Sequence, residues 1–238
     1  MTDAHAETLR AWFDRAAGHY DLLTGLDPAY GAQLRRSAER LLARGTDGSA
    51  PRILDLCCGT GRSTLALRRV YPDAELTALD ASEGMLTRAR AKRALRSVRF
   101  VRGDATDPAA AGLRGPFDAV FMAFGLRNVS DRDRCLGNVL GVLRPGGRFG
   151  LHEYVLDGER RSRIVWNLVC GGIIEPLGVL LTRDRALFRY LRASVLAFDT
   201  LPRLLERLRR AGFDHVHAET MGGWQRGIVH TVVAERPR

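Results

Sequence analysis

Two short stretches of the sequence have the residue types of a nucleoside-binding site. The apolar run 53–58 ends at Gly59 and Gly61, and a second apolar run, 75–79, ends at the carboxylate of Asp80, nineteen residues after Gly61. Glycines let the backbone pass close to a ligand because no Cβ atom intervenes. An acidic residue about twenty positions after such a turn accepts hydrogen bonds from the hydroxyls of a ribose. The spacing therefore predicts a strand, turn, helix and strand that together bind a nucleoside.

The glycine spacing indicates which kind of nucleoside is bound. A dinucleotide-binding turn has a third glycine where this chain has Thr64, and a phosphate-binding loop ends in Gly-Lys-Ser/Thr, which the turn lacks. The remaining pattern, Asp55-x-x-x-Gly59-x-Gly61, resembles the first motif of class I S-adenosylmethionine (SAM) methyltransferases. An ordinary tight turn between a strand and a helix is the alternative, so the interpretation depends on the rest of the chain.

Later segments predict the other strands of the same sheet. Residues 97–101 form a predicted strand that ends near Asp104, residues 117–122 form the next, and the turn 145–147 precedes a fifth. Ligands bind beyond the carboxyl ends of such strands, where Asp104 could accept a hydrogen bond from an adenine amino group. Predicted strands at 213–219 and 227–235 complete a doubly wound, Rossmann-like α/β sheet of seven strands with an antiparallel last strand, which is typical of SAM methyltransferases.

Longer motifs make the resemblance more specific. The run 124–129, Phe-Gly-Leu-Arg-Asn-Val, with 13–23 near the start and 79–86 in between, resembles the ubiquinone/menaquinone biosynthesis C-methyltransferase family over nearly the whole chain. The resemblance implies one domain over 1–238, with an N-terminal helical cap in 1–50 and an inserted helical lid in 157–199. It also implies SAM as the methyl donor and S-adenosylhomocysteine as the product.

The site residues expected on this basis fall into two groups. The expected donor contacts are Tyr20, Asp55, Gly59, Thr60, Gly61, Asp80, Ala81, Met85, Asp104, Ala105 and Ala123. The expected acceptor contacts are Phe124, Asn128, Tyr154 and Tyr190. The family has a serine where this chain has Ala123, so one candidate donor contact has lost its hydroxyl.

Two residues are candidates for the chemistry of transfer. When a phenol or hydroquinone loses its hydroxyl proton, the neighbouring ring carbon becomes electron-rich enough to attack the sulfonium methyl, and no covalent enzyme residue is needed. Arg127 is expected to stabilise the phenolate or to hold a water that takes the proton. His152, near the end of the fifth strand, is the alternative base, since an imidazole has an unperturbed pKa of about 6.5. A packed, structural histidine is the competing interpretation of His152.

The chain departs from the family at the fifth strand and near the C-terminus. The strand ends in His152-Glu153-Tyr154 where the family has Leu-Glu-Phe, and His230 is followed by Thr231 where the family continues Arg-Gly-x-Lys. Consecutive strand residues face opposite ways, so His152 and Glu153 need not act together. These changes leave the donor prediction intact and widen the choice of acceptor.

Composition bears on partners and location. The formal charge of +10 suggests nucleic-acid binding, but every basic residue except Lys92 is arginine, spread over all predicted helices without interleaved aromatics. We therefore expect a solvated surface and no nucleic-acid partner.

Adjacent Cys57 and Cys58 would point to opposite faces of a strand, so no metal site is expected. The N-terminus lacks a signal-peptide pattern, which predicts a cytoplasmic protein.

The lid segment has an unusual apolar stretch, 164–181, which contains Asn167, Glu175 and Pro176. A membrane-spanning helix needs about twenty residues with few or no charges. We therefore expect a lid whose outer edge rests on lipid, with basic flanks at 160–163 and Arg183. A plain core hairpin is the alternative. Peripheral membrane contact and a homodimer are both left open.

Three functions are compatible with the sequence. The preferred one is C-methylation of a demethylmenaquinol-like quinol, an electron-rich aromatic acceptor. The second is C- or O-methylation of a polyketide or other natural product, which the changed fifth strand and C-terminus would allow. The third is a SAM-binding scaffold without transfer activity.

Overall fold

A computed structural model describes residues 11–14, 17–18, 21, 28–43, 45 and 48–238. Residues 11–14, 17–18 and 21 are helical, in the region where the N-terminal cap is expected. The predicted donor contact Tyr20 lies outside the described residues.

A seven-stranded sheet forms the centre of the described structure. Its strands are β1 (Arg52–Leu56), β2 (Glu75–Asp80), β3 (Arg99–Arg102), β4 (Phe117–Ala123), β5 (Leu143–Tyr154), β6 (Asp214–Thr220) and β7 (Val229–Glu235). Their order is β3-β2-β1-β4-β5-β7-β6, and β7 is antiparallel to both of its neighbours. The predicted sheet, with its antiparallel last strand, is confirmed.

Helices connect and cover the strands. They are α1 (Pro28–Leu41), α2 (Arg62–Val70), α3 (Glu83–Arg90), α4 (Arg132–Val142), α5 (Arg160–Val169), α6 (Glu175–Thr182), α7 (Arg185–Ala197) and α8 (Leu201–Arg210). Side-chain caps fix several starts: Ser82 accepts a hydrogen bond from the Met85 amide, and Asp131 accepts one from the Arg134 amide. These caps satisfy amides that have no partner within the helix.

Both faces of the sheet are buried, which explains the apolar runs of the parallel strands. On one face, Leu54 and Val120 pack in a cluster with residues of α4 and α8. On the other face, Ile53 and Phe121 pack in a cluster with residues of α1 and α2. Helices on both faces make the sheet doubly wound, as predicted.

Strand order and register bring the ends of four strands together. The chain leaves β1 for β2 on one side and later returns to β4 on the other, so a crevice opens beyond β1 and β4. Leu56 lies level with Leu79 and Met122, and Ala123 lies level with His152. The residues that follow β1, β2 and β4 therefore share one edge with the end of β5.

The lid region contains one long bent helix. The helices α5 and α6 are joined by a π-helical turn, Cys170–Ile174. Within the described ranges, this stretch, Arg160–Thr182, is the one helix long and apolar enough to cross a membrane by length and composition, with a mean hydropathy of 1.8 in its most apolar window. Trp166 and Cys170 on its inner side are fully buried.

Asp55 attaches β1 to α2 from beneath the glycine turn. Its Oδ2 atom accepts hydrogen bonds from Ser63 Oγ at 2.8 Å and from Thr64 Oγ1 at 2.6 Å. Burial raises the pKa of the Asp55 carboxyl to about 7, and the two hydroxyl donors only partly offset that effect. Thr64, which replaces the third glycine of a dinucleotide-binding turn, thus has a structural role of its own.

Asp55 should give the fold a pH dependence of known sign. Because its pKa is raised from 3.8 to about 7, its stabilising contribution is complete below pH about 4 and is lost as the pH rises through 7. In that range Asp55 lowers the free energy of unfolding by at most about 1.4 kcal/mol per pH unit. Asp55→Asn should remove this slope in urea unfolding, whereas Asp73→Asn, at an exposed position, should retain it. Identical slopes for Asp55→Asn and the unchanged protein would contradict the assignment.

Candidate active site

The glycine turn has the backbone that the sequence predicts. Gly59 and Gly61 have φ values of +53° and +83°, in the left-handed region that favours glycine. A Cβ atom on Gly61 would lie 2.8 Å from Leu95 Cδ1, whereas one on Gly59 would meet no atom within 4 Å. The left-handed backbone therefore favours glycine at both positions, the contact with Leu95 adds to this at position 61, and the space beside Gly59 is open.

Asp80 joins the glycine turn to the end of β2. Its Oδ2 atom accepts a hydrogen bond from the Gly59 amide at 2.8 Å, and its Oδ1 atom accepts one from the Ser82 amide at 2.9 Å. Burial raises the pKa of Asp80, while these amides act to lower it. A carboxylate has about four acceptor positions, so Asp80 retains capacity for the hydroxyls of a ribose.

The remaining predicted donor contacts near this turn differ in how deeply they are buried. Ala81 is half-buried beside Asp80, and Met85 and Ala105 are buried. Asp55 is fully buried, with its Oδ2 atom bonded to Ser63 and Thr64. This carboxylate therefore supports the turn from within the core, and its predicted direct contact with the donor stays a prediction.

Asp104 lies at the other end of the predicted donor site. Its Oδ1 atom accepts hydrogen bonds from the Thr106 amide at 2.7 Å and from Thr106 Oγ1 at 2.8 Å. Asp104 and Val129 line a cavity of about 630 Å³. Asp104 thus borders open space at the carboxyl end of β3, where the purine is expected.

The described N-terminal residues, 11–14, 17–18 and 21, include two carboxylates that contact the donor site. Asp21 accepts a hydrogen bond from Thr60 Oγ1 at 2.6 Å and forms an ion pair with Lys92 at 2.6 Å. Asp14 accepts hydrogen bonds from Ser82 Oγ and from the Gly84 amide. The run 13–23 contributed to the family resemblance but gave Asp14 and Asp21 no individual role, and Lys92 lies in no motif, because the partners of these residues lie far away along the chain.

An aromatic cluster lies beside the donor site, at the ends of β4 and β5. Phe124 has a positive φ of +55°, which is uncommon outside glycine and frequent at functional sites. Its ring centroid lies 5.0 Å from that of Tyr154 and 5.6 Å from that of Tyr30. Tyr190 donates a hydrogen bond to Asn128 Oδ1 at 3.0 Å. Ala123 is half-buried just before Phe124. The predicted acceptor contacts thus occur as two close pairs.

A buried ion pair lies next to these rings. Arg127 is 5% exposed and Glu153 is fully buried, and Arg127 Nη1 lies 2.6 Å from Glu153 Oε1. Arg127 Nε also donates to Ser194 Oγ at 3.0 Å, and its guanidinium carbon lies 6.0 Å from the centre of the Tyr154 ring. Burial raises the pKa of Glu153, and Arg127 acts to lower it. Sequence reasoning missed Glu153 as a partner, although strand alternation correctly separated it from His152.

His152 belongs to a buried polar network on the opposite face of the sheet. Its Nδ1 atom lies 2.8 Å from Ser37 Oγ, which lies 2.7 Å from Thr231 Oγ1, and Arg40 donates to that hydroxyl at 2.9 Å. Burial, with the nearby charge of Arg40, lowers the pKa of His152 to about 3. The imidazole is therefore neutral at pH 7 and has a low proton affinity, which does not suit a general base.

His152 also contacts the aromatic cluster. The ring centroids of His152 and Phe124 lie 4.7 Å apart in an edge-to-face arrangement. Through this contact and the bond to Ser37, His152 links α1 to the cluster. This geometry favours the structural interpretation of His152 over the catalytic one.

Removing the Asp80 carboxylate should weaken donor binding. Charged hydrogen bonds contribute about 1.5–3 kcal/mol each, so Asp80→Ala should lower the affinity for SAM or S-adenosylhomocysteine about 10- to 100-fold by calorimetry. Asp73→Ala, at an exposed position near the start of β2, is the matched control and should bind normally. Unchanged affinity in a folded Asp80→Ala protein would remove Asp80 from the donor site.

Comparison with known proteins identifies the family. Residues 1–234 match the model of the ubiE/COQ5 methyltransferase family. The chain is 36% identical over 203 residues to the demethylmenaquinone methyltransferase of Thermus thermophilus, covering 84% of this chain and 90% of the relative. It is 33% identical over 220 residues to the ubiquinone/menaquinone biosynthesis C-methyltransferase UbiE of Syntrophotalea carbinolica, covering 90% of each.

Solved structures share the fold at low sequence identity. The [4+2]-cyclase SpnF superposes with a TM-score of 0.70 at 20% identity, covering 98% of this chain and 96% of that one. The putative methyltransferase in complex with the Haloferax volcanii Trm112 activator gives a TM-score of 0.66 at 18% identity, covering 95% and 98%. At such identities the likeness supports the fold alone. The match along nearly the whole sequence, with the glycine turn and Asp80 in place, shows that this chain is a SAM-dependent methyltransferase of the ubiE/COQ5 family.

Proposed function

We propose that this methyltransferase transfers the methyl group of SAM to a ring carbon of a demethylmenaquinol-like quinol. The observation that carries the proposal is the buried Arg127–Glu153 pair in contact with an aromatic cluster at the ends of β4 and β5, next to the donor turn. The names of the relatives, demethylmenaquinone methyltransferases among them, support the same acceptor class.

The aromatic cluster suits a flat, apolar acceptor. The rings of Tyr30, Phe124 and Tyr154 follow one another at centroid distances of 5.6 and 5.0 Å. Aromatic rings pack favourably against one another when offset or edge-to-face. A naphthoquinol ring could pack among them while its hydroxyl faces a polar group.

Arg127 is the proposed polar group. A guanidinium carries five N–H donors, and the contacts to Glu153 and Ser194 use Nη1 and Nε. Because Arg127 is only 5% exposed, solvent screens its charge little, and a fixed cation of this kind favours the negative charge that develops on a phenolate oxygen. Glu153 holds the guanidinium in place, and a water beside Arg127 takes the proton, because arginine itself is too weak a base. His152 has an orienting role through Phe124.

Incubation of the protein with methyl-labelled SAM and a panel of reduced quinols and phenolic polyketides tests this function. We expect the label on a ring carbon of a naphthoquinol, located by mass spectrometry and NMR. Label on a hydroxyl oxygen, or on polyketides alone, would favour the natural-product alternative. Binding of SAM without transfer to any acceptor would indicate a scaffold.

A neutral double variant tests the role of the ion pair. Arg127→Gln with Glu153→Gln leaves no unpaired buried charge, so the fold should persist. We expect kcat to fall about 100-fold or more with unchanged SAM affinity, as when a group that stabilises an oxyanion is removed. The matched control is Arg144→Gln with Asp118→Asn, an ion pair at the amino end of the sheet, which should leave kcat unchanged. His152→Gln should lower kcat far less than the Arg127/Glu153 double variant does. A normal kcat in the Arg127/Glu153 variant, or loss of the pH dependence of turnover in His152→Gln, would reverse these roles.

We further propose that the lid helix rests on a membrane surface. Six large apolar residues form an outer ridge, each 40–76% exposed: Ile164, Leu168, Ile173, Leu177, Leu180 and Leu181. The only acidic or basic side chain between Arg163 and Arg183 is that of Glu175, which is 16% exposed and lies 4.0 Å from Arg185. A helix with one apolar face and basic ends is typical of the interface of an anionic bilayer.

The inner side of the same helix supports a lipid-like acceptor. Trp166 is fully buried, and its ring centroid lies 5.0 Å from that of Tyr154 in the aromatic cluster. Within segment 157–199, a single helix therefore lies between the outer ridge and the proposed acceptor site. This arrangement fits a cytoplasmic enzyme that takes its acceptor from the membrane surface.

Vesicle sedimentation tests the outer ridge. Leu168→Glu with Leu180→Glu should reduce binding to phosphatidylglycerol vesicles about tenfold or more, because burial of two leucines is lost. Leu42→Glu with Trp224→Glu, at exposed apolar positions outside the ridge, is the control and should bind as the unchanged protein does. If the unchanged protein fails to bind vesicles, the membrane proposal is wrong. If the protein is a dimer in ultracentrifugation that the ridge variant converts to a monomer, a second copy and not lipid covers the ridge.

A further inference from the structure

The only lysine of the chain lies against the glycine turn. Its Nζ atom is 2.6 Å from Asp21 Oδ2 and also donates to the Thr60 carbonyl oxygen. Asp21 Oδ1 in turn accepts a hydrogen bond from Thr60 Oγ1. Three residues from three distant parts of the sequence thus form one cluster, in which Lys92 is 22% and Asp21 37% exposed.

The residue type at position 92 is itself informative. The chain has 37 lysine and arginine residues, of which Lys92 alone is lysine. At Lys92 a carboxylate and a backbone carbonyl converge on a single nitrogen atom. A compact ammonium satisfies such an arrangement, whereas a planar guanidinium spreads its donors over three nitrogens. The geometry of this cluster thus selects lysine.

A second attachment lies at the sugar end of the donor site. Asp14 accepts hydrogen bonds from Ser82 Oγ and from the Gly84 amide, at the start of α3. The amide of Ser82 donates to Asp80, the expected ribose partner. Asp14 and Asp21 therefore attach the described N-terminal residues both beside Asp80 and beside Thr60.

We propose that Lys92 is a positioning residue that, through Asp21, latches the described N-terminal helical residues against Thr60 of the glycine turn and thereby sets how fast donor and product are exchanged. The product must leave after every turnover, so the attachment has to open repeatedly. A partly exposed ion pair contributes about 1 kcal/mol or less, which holds the latch closed without preventing opening. The proposal rests on SAM binding and is independent of the acceptor.

Stopped-flow measurement of S-adenosylhomocysteine release tests the latch, with Trp12 of the described N-terminal residues as a fluorescent reporter. Lys92→Gln should release the product about two- to fivefold faster, as expected when a partly exposed ion pair is lost. Asp21→Asn should act similarly, and the double variant should add nothing further, because both remove the same interaction. Arg96→Gln, an exposed basic position just beyond Lys92, should leave the rate unchanged.

Steady-state kinetics and chemical labelling provide readouts that general instability would not mimic. KM for SAM should rise in Lys92→Gln, while KM for the acceptor stays constant. Because Lys92 is the only lysine, acetylation of its amine is followed directly by peptide mass spectrometry. Acetylation should be slowed by S-adenosylhomocysteine and accelerated in Asp21→Asn. Unchanged release rates in both variants, additive effects in the double variant, or labelling insensitive to both ligand and Asp21→Asn would overturn the proposal.

Discussion

The hydrogen bond from the Gly59 amide to the Asp80 carboxylate is the constraint on which the active site depends. It joins the end of β1 to the end of β2 at the point where the chain changes direction in the sheet. The left-handed backbone of the two glycines allows it, and the hydrogen bonds that Ser63 and Thr64 donate to Asp55 hold the turn from the core side. The Asp80 carboxylate is thereby fixed at the edge of the crevice before any ligand binds, which reduces the entropy that is lost when the ligand binds.

The proposed acceptor side is organised by a different interaction, a buried charge pair. Two charges this deep are costly to desolvate, and they persist only when paired and hydrogen-bonded. Glu153 meets this requirement because it accepts hydrogen bonds from Arg127 Nη1, from the Arg127 amide and from the Tyr154 amide. The donor side thus relies on backbone amides and glycines, whereas the acceptor side relies on side-chain charge and aromatic rings. This division explains why natural changes at His152 and Tyr154 leave the donor turn intact.

The sequence predicted those parts of the structure that local patterns encode. Apolar runs and turn residues gave the seven strands, glycine spacing gave the donor turn, and strand alternation separated His152 from Glu153. Contacts between residues far apart in the sequence could not be predicted: Asp21 lies 71 positions from Lys92, and Ser37 lies 115 positions from His152. The sequence left His152 open between a base and a packed histidine, and its low pKa, which comes from burial and Arg40 and favours the packed histidine, is revealed by no sequence pattern. For the same reason the sequence did not show that Asp55, part of the glycine motif, lies in the core.

The network around His152 has a consequence for the traffic of substrates. It attaches α1 to β5 and β7 through fully buried side chains, so this helix is firmly fixed. Asp14 and Asp21, by contrast, are partly exposed where they contact Ser82 and Thr60. Under the proposed latch, the donor side can therefore open while His152 keeps the Phe124 side of the site in place.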